Sequence, residues 1–349
     1  MANISLWQGT KLVMKGIYSY LTRRPIVVSY EVTLSCNCNC HHCDLGGIIK
    51  DEKQIGAEAY RDITRHLKPL AAQISGGEPL LRKDIVAIVK AIKEGGVEYA
   101  ILVTNGVLLN EDNYLQLREA GVSQFSVSLD FPDERHDEFR RHPGLFRRLD
   151  QTLPKLAKFG FRDIILNTAI TKANVREILP LAKKAAEWGV DISYSAYTPL
   201  RTGNKDYCLN NGEDLEILRR AIDELVTLKK DSAYLANPEL TLQDTLKFFE
   251  QGYMPDCKAG IRFLVVMPDG SLVPCSLHRT KYATRDEMME KFSRANRCGG
   301  CYVAIRSYSE MPFLSHAKNL PMYMQQMVFH WKLPTKNLHS AKPLHGRGF

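Results

Sequence analysis

The sequence predicts an α/β protein, a partial (β/α)6 barrel with a small cysteine-rich α+β module on its C-terminal side. Three observations predict it. From residue 26 to about residue 200, short apolar, β-branched runs alternate six times with longer stretches of helical periodicity. Past Gly203 the composition changes, through the linker-like "RTGNKDYCLNNGED" into a further helical stretch. Beyond that, "FLVVMPDGSLVPCSL" reads as two β-rich runs joined by Pro268-Asp269-Gly270-Ser271, a hairpin signal.

The six strand candidates are Ile26–Thr33, Gln73–Ser75, Tyr99–Thr104, Gln124–Leu129, Ile164–Ala169 and Asp191–Tyr194. Helical periodicity falls near residues 58–68, 83–94, 111–120, 146–159, 174–187 and 213–230. In "RKDIVAIVKAIKEGG", for instance, Ile85, Ile88, Val89 and Ile92 recur at helical spacing and Gly95-Gly96 supplies the stop. Successive βα units imply a parallel sheet, and six rather than eight imply an open barrel. In either form the chemistry belongs at the C-terminal ends of the strands. The expected division is a basic amphipathic segment over 1–25, a barrel core over 26–205, a helical linker over 206–250, a cysteine-bearing module over 251–310 and a basic tail over 311–349.

With 349 residues, 44% hydrophobic and 25% charged, the chain has the composition of an ordinary folded protein. Its longest apolar runs, such as Phe263–Met267, are far too short to span a membrane, and no signal-peptide apolar region is present at the N-terminus. A cytoplasmic protein is expected, where nine cysteines need a reason other than structural disulfides. The net charge of +8 sits at the two ends. Lys11, Lys15, Arg23 and Arg24 precede the first acid, Glu31, and the tail carries Lys318, Lys332, Lys336, Lys342 and Arg347 without an acid. No nucleic-acid recognition motif accompanies these charges, so a nucleic-acid partner is not expected.

Four cysteines crowd into "SYEVTLSCNCNCHHCDLG", directly after the first strand. Their spacing allows Cys36-x3-Cys40-x2-Cys43 with Cys38 as an interloper, or a set using all four; zinc and an iron–sulfur cluster both remain open on spacing alone. After the second strand comes "ISGGEPLL", where Gly76-Gly77 permits close backbone approach and Glu78-Pro79 sets an acidic turn at the same end of the sheet. A turn of this kind can be purely structural. Paired with the cysteine loop, it resembles the radical SAM superfamily, and the likeness covers roughly residues 25–310.

The resemblance implies that Cys36, Cys40 and Cys43 bind three irons of a [4Fe–4S] cluster, and that the open fourth iron takes the amino and carboxylate groups of S-adenosylmethionine. It further implies that His42 lies near the adenine and that Gly76, Gly77 and Glu78 receive the methionyl ammonium. "LVTNG" places Thr104 and Asn105, and "FSVSLD" places Ser128 and Asp130, where relatives contact the cofactor or line its pocket. Taken singly these are ordinary turn and helix-capping residues. Cys38 departs from the usual pattern and is read as a non-ligand. The rival class is a non-catalytic metal-binding or redox-sensing protein, supported by the cysteines alone.

Cys257, Cys275, Cys298 and Cys301 form a second set. A zinc knuckle has the same spacing, but "CKAGIRFLVVMPDGSLVPC" followed by "RCGGC" resembles the twitch module, a truncated SPASM domain, which implies a second [4Fe–4S] cluster. The resemblance also implies a reductant such as flavodoxin or ferredoxin. Cys208, after the sixth strand, is either an inert thiol or a hydrogen-atom donor of the kind some radical SAM epimerases use.

For the substrate, a lipid or isoprenoid is the leading expectation, with oxidation or epimerisation of a small molecule or peptide as the alternative. Only 35 residues precede Cys36, too few for a peptide-leader domain. "LWQGTKLVMKGIYSYLTRR" places Leu6, Val13, Ile17, Leu21, Trp7, Met14 and Tyr18 on one broad face, and "MYMQQMVFHWKLP" joins aromatics to positive charge. Such segments suit a peripheral contact with the inner membrane face; the alternative is a helix packed under the barrel.

Overall fold

The computed structural model describes residues 6–231 and 234–311, with side chains described from residue 14. After helix α1 (Leu6–Leu21) come six units: β1 (Val27–Thr33) with α2 (Ala57–Leu67), β2 (Ala71–Gly76) with α3 (Ile85–Glu94), β3 (Tyr99–Thr104) with α4 (Glu111–Ala120), and β4 (Gln124–Ser128) with α5 (Arg135–Arg140) and α6 (Leu145–Ala157). β5 (Ile164–Ile170) follows with α7 (Ile178–Trp188), then β6 (Asp191–Ala196) with α8 (Gly212–Asp231). The remainder comprises α9 (Glu239–Gln251), the hairpin strands β7 (Phe263–Val266) and β8 (Leu272–Val273), α10 (Arg285–Met288) and α11 (Ala304–Ser309).

All eight strands belong to one sheet, in the order β6-β5-β4-β3-β2-β1-β7-β8. The six barrel strands run parallel, as the βα rhythm predicts. The hairpin does not stand apart: β7 pairs parallel with β1 from Val27↔Phe263 to Tyr30↔Val266, and only β8 is antiparallel. Its sequence gives the reason. Phe263, Leu264, Val265 and Val266 are all buried, an unbroken apolar run suited to a strand covered on both faces.

Side-chain alternation divides the strands into a helix-facing and an interior face. Tyr30 shows the first: its hydroxyl lies 2.7 Å from Thr64 Oγ1 on α2 and its ring meets Tyr60 edge-on. Likewise Tyr194 donates to the carbonyl of Ile178 at the start of α7. Val28, Leu102, Phe125 and Val127 fill the layer between sheet and helices, each fully buried and each contributing roughly 1.5–3 kcal/mol. The alternate positions are polar, among them Glu31, Ser75, Ser128, Asn167 and Ser193. At Ser193 the hydroxyl of Tyr308 on α11 stands 3.2 Å away. α11 thus lies against both β6 and β7, across the open side of the sheet.

α1 packs beneath the barrel. Gly16 faces Leu70, and Lys15 bonds the Gly96 carbonyl and pairs with Glu98 at 3.5 Å, both at the entry to β3. Arg262, just before β7, stacks on Tyr20 at 3.8 Å. Met14, Tyr18 and Leu21 stay exposed. The basic tail from residue 312 and the side chains of Leu6, Trp7, Lys11 and Val13, on which the membrane expectation leaned, lie outside the described residues. Among the described residues no helix is long and apolar enough to cross a membrane.

Candidate functional site

The cysteine loop leaves β1 at Thr33, at the C-terminal end of the parallel sheet. Glu52 anchors its entrance by accepting from Thr33 Oγ1 and the Leu34 amide. The Cys36 amide donates to the Gly47 carbonyl at 2.9 Å, which closes the loop. Cys36, Cys38 and Cys40 are buried and Cys43 is half-buried. The Cys38 amide donates to Cys36 Sγ at 3.4 Å, and the proximity of the three thiols lowers the pKa of Cys36 and Cys40 while raising that of Cys38.

The two glycines of "GGEP" are needed for contact between backbones. A Cβ on Gly76, whose φ is +126°, would stand 2.1 Å from the Thr33 carbonyl oxygen, and one on Gly77 would stand 2.1 Å from that of Ser35. Without those atoms, the Gly77 amide donates to Thr33 at 2.7 Å and the Glu78 amide to Ser35 at 2.9 Å. The turn after β2 thereby clamps the root of the cysteine loop.

Glu78 extends this clamp to β3. Its carboxylate is fully buried and accepts from the Leu80 amide (3.0 Å), Thr104 Oγ1 (2.8 Å) and the Asn105 amide (2.7 Å). Burial pushes its pKa up to about 7 against the pull of those donors. Asn105 in turn directs its Nδ2 to Asn37 Oδ1 at 2.7 Å and to Cys36 Sγ at 3.7 Å. Thr104 and Asn105, singled out in the sequence, are the connection between Glu78 and the first cysteine.

Ser128 ends β4 half-buried on the interior face, opposite Asn167. Asp130 is fully buried and accepts from Arg140 Nε at 2.7 Å, with His136 Nδ1 at 3.8 Å. Burial alone would raise its pKa, but the Arg140 charge and the two nearby imidazoles outweigh it and hold the carboxyl below its ordinary value. Arg140 was not foreseen: it sits in the unpredicted helix α5, and nothing in the spacing of "DERHDEFRR" marks it. α5 supports the cysteine loop directly, since its Phe139 and Arg140 carbonyls accept from the His41 and Asn39 amides. The Phe139 ring stacks on His42 at 4.7 Å and 12°. His42 Nδ1 and Asp130 Oδ1 are buried without hydrogen-bond partners. Two orphaned polar atoms next to a thiol group fit a bound polar cofactor.

The second cysteine set lines a small pocket whose wall includes Cys257, Cys275, Cys298, Cys301, Leu200 and His278. Burial pushes the Cys257 thiol up to about 11 and that of Cys275 up to about 12. Arg306, fully buried and also missed in the sequence, ties the set together. It donates to the carbonyls of Cys301 (2.6 Å), Met254 (2.8 Å) and Pro255 (2.6 Å) and pairs with Glu310. Cys208 is half-buried, with its amide on Lys205 O; its neighbour Tyr207 packs against Phe139, Tyr197 and His41 of the first cysteine loop.

Residues 30–185, which contain the whole of this first site, match the family model of the radical SAM superfamily. Over that stretch the chain is similar to the radical SAM superfamily. The cofactors of that superfamily are a [4Fe–4S] cluster and S-adenosylmethionine, and the thiols and orphaned atoms at the end of β1 are of the kind such a pair requires. An AdoMet-dependent heme synthase of Methanosarcina barkeri is 34% identical over 195 residues, 53% of this chain and 54% of the relative. A probable GTP 3′,8-cyclase of Methanothermobacter marburgensis is 28% identical over 284 residues, 76% of this chain and 90% of that one. The chain thus spans about half the length of the heme synthase and most of the cyclase. Among solved structures, SuiB of Streptococcus suis bound to its precursor peptide SuiA aligns with a TM-score of 0.59 and 21% identity over 77% of this chain and 65% of SuiB, a likeness of fold.

Proposed function

We propose that this protein is a two-cluster radical SAM enzyme that abstracts a hydrogen atom from an unactivated carbon. The observation that carries the reading is the placement of Cys36 in the loop after β1, linked through Asn105 to Glu78, with the two glycines at the end of β2 clamping the root of that loop. Cys36, Cys40 and Cys43 would hold the first cluster and Cys257, Cys275, Cys298 and Cys301 the second. When bound, the reduced first cluster would supply one electron, drawn from a flavodoxin or ferredoxin, to split the sulfonium C5′–S bond of S-adenosylmethionine into methionine and a 5′-deoxyadenosyl radical, which takes the substrate hydrogen.

The chain's own residues do the rest. The Asn105 side chain and the Cys38 amide donate to Cys36 Sγ and orient it, and the stacked rings of His42 and Phe139 offer a flat aromatic face beside the third cysteine. Gly76 and Gly77 hold the loop root against β2, which keeps the site rigid. Ser128 and Asn167 present polar groups from the interior face of the sheet.

At the second site Cys257, Cys275, Cys298 and Cys301 line one pocket, and four thiolates suit a [4Fe–4S] cluster. The heme synthase and the GTP cyclase lend no support to the lipid or isoprenoid substrate expected from the termini. Iron and sulfide counts test the reading: about eight of each per chain in the anaerobically reconstituted wild type, and about four after replacing either cysteine set by alanine. One equivalent of zinc in place of the second four irons would refute the two-cluster assignment.

A further inference from the structure

The segment between β6 and α8 runs between the two cysteine sites. Thr198 Oγ1 donates to the Gly300 carbonyl at 2.8 Å, within "RCGGC", and Leu200 lines the second cavity. The next residue, Arg201, turns the other way and ion-pairs with Asp44, which directly follows Cys43. Its charge also acts on the Cys43 thiol. The Arg201 side chain is only 17% exposed, and its Nη2 is buried without a hydrogen-bond partner.

A second ion pair lies beside it. Glu31, on the interior face of β1 and 4% exposed, accepts from Arg279 Nη2 at 3.1 Å; Arg279 comes from the chain just after Cys275. Burial pushes the Glu31 carboxyl up, and the Arg279 and Arg201 charges pull it down against that. Each guanidinium is matched by one carboxylate, yet Arg201 keeps a buried donor, Nη2, unpaired. A buried donor left unpaired costs roughly 1–3 kcal/mol, and more when charged. A guanidinium also presents a planar fork that fits an oxyanion.

We propose that Arg201 is the anchor for an oxyanion on the substrate, so that the substrate of this site is a carboxylate- or phosphate-bearing molecule held between the cysteine loop and the second cavity. The inference rests on the radical SAM reading above and narrows its substrate class. A neutral isoprenoid has no group for Arg201 to hold.

The test uses full-length, anaerobically reconstituted protein with S-adenosylmethionine present, so that the cofactor's own carboxylate occupies its place. Inorganic pyrophosphate is titrated in one arm and succinate in the other, by calorimetry at low ionic strength, against wild type, Arg201→Gln and Arg201→Lys. One arm binds the wild type and identifies phosphate or carboxylate. The Gln variant binds that anion about tenfold or more weakly, the Lys variant falls between, and iron per chain stays at the wild-type level in both. No binding of either anion at millimolar concentration, or equal affinity in wild type and Gln variant, overturns the proposal. If the Gln variant fails to retain iron, the Lys variant decides, and affinity equal to wild type there overturns it. Release of 5′-deoxyadenosine by wild type with dithionite is measured separately: a protein that cleaves the cofactor but binds neither anion sinks this inference alone.

Discussion

At the scale of single residues, the first site is held together by a few buried groups. Glu78 is one. Its folded-state pKa of about 7 exceeds the ordinary 4.5, so the folded protein holds a proton that the unfolded chain releases between those values. The associated stability is complete below about pH 4.5 and is lost as pH rises through about 7. Glu78→Gln removes that slope, and its amide opposes the Asn105 N–H, a cost of about 1–3 kcal/mol. Denaturant titrations of the apoprotein across pH 5 to 8 measure both effects; an unchanged slope would count against the assignment. Gly77→Ala places a Cβ against Ser35 backbone atoms, which cannot give way without moving the cysteine loop. The variant should lose about half of its iron, from the first site, and full iron content would contradict the clamp. The identities of Cys36, Gly77 and Glu78 were legible in the sequence as a motif. Their connection was not, because the carboxylate's partners lie on the next strand and the glycines' missing atoms face backbone rather than ligand.

At the scale of elements, the six strands and most of the helices follow from apolar periodicity, and their observed limits depart from the expected ones by a few residues. Within the barrel the exception is α5. Its six residues are too few for periodicity to register, and tertiary contacts create it: Arg140 reaches Asp130, and two of its carbonyls hold the cysteine loop. Removing one partner of such a buried pair costs about 3–5 kcal/mol. Arg140→Met should therefore destabilise the apoprotein by about that amount, and the double variant Asp130→Asn/Arg140→Met should recover much of the loss. A chemical-denaturation series checks this, and a single variant as stable as wild type would show that the pair does not hold the element. Asp130, expected at the cofactor, acts first on α5, and one of its oxygens remains without a partner.

At the scale of the whole molecule, the cysteine-rich module shares the barrel's sheet through β7, closes its open side with α11, and sends Arg279 to Glu31 in the interior. The hairpin and its cysteines could be read from Pro268-Asp269-Gly270-Ser271 and the spacing of the thiols. Its pairing with β1 could not, since nothing local specifies which strand an unbroken apolar run will join. The two cysteine sites are thus linked through one sheet, by the Arg279–Glu31 pair and by the segment that carries Thr198 and Arg201. The most direct test of this account is 5′-deoxyadenosine release by the anaerobically reconstituted protein with dithionite and S-adenosylmethionine, beside a Cys36→Ala/Cys40→Ala/Cys43→Ala variant. The account predicts release by the wild type and none by the variant, while the variant keeps the iron of its second site. Equal release from both, or none from a wild type carrying its full iron, would contradict it.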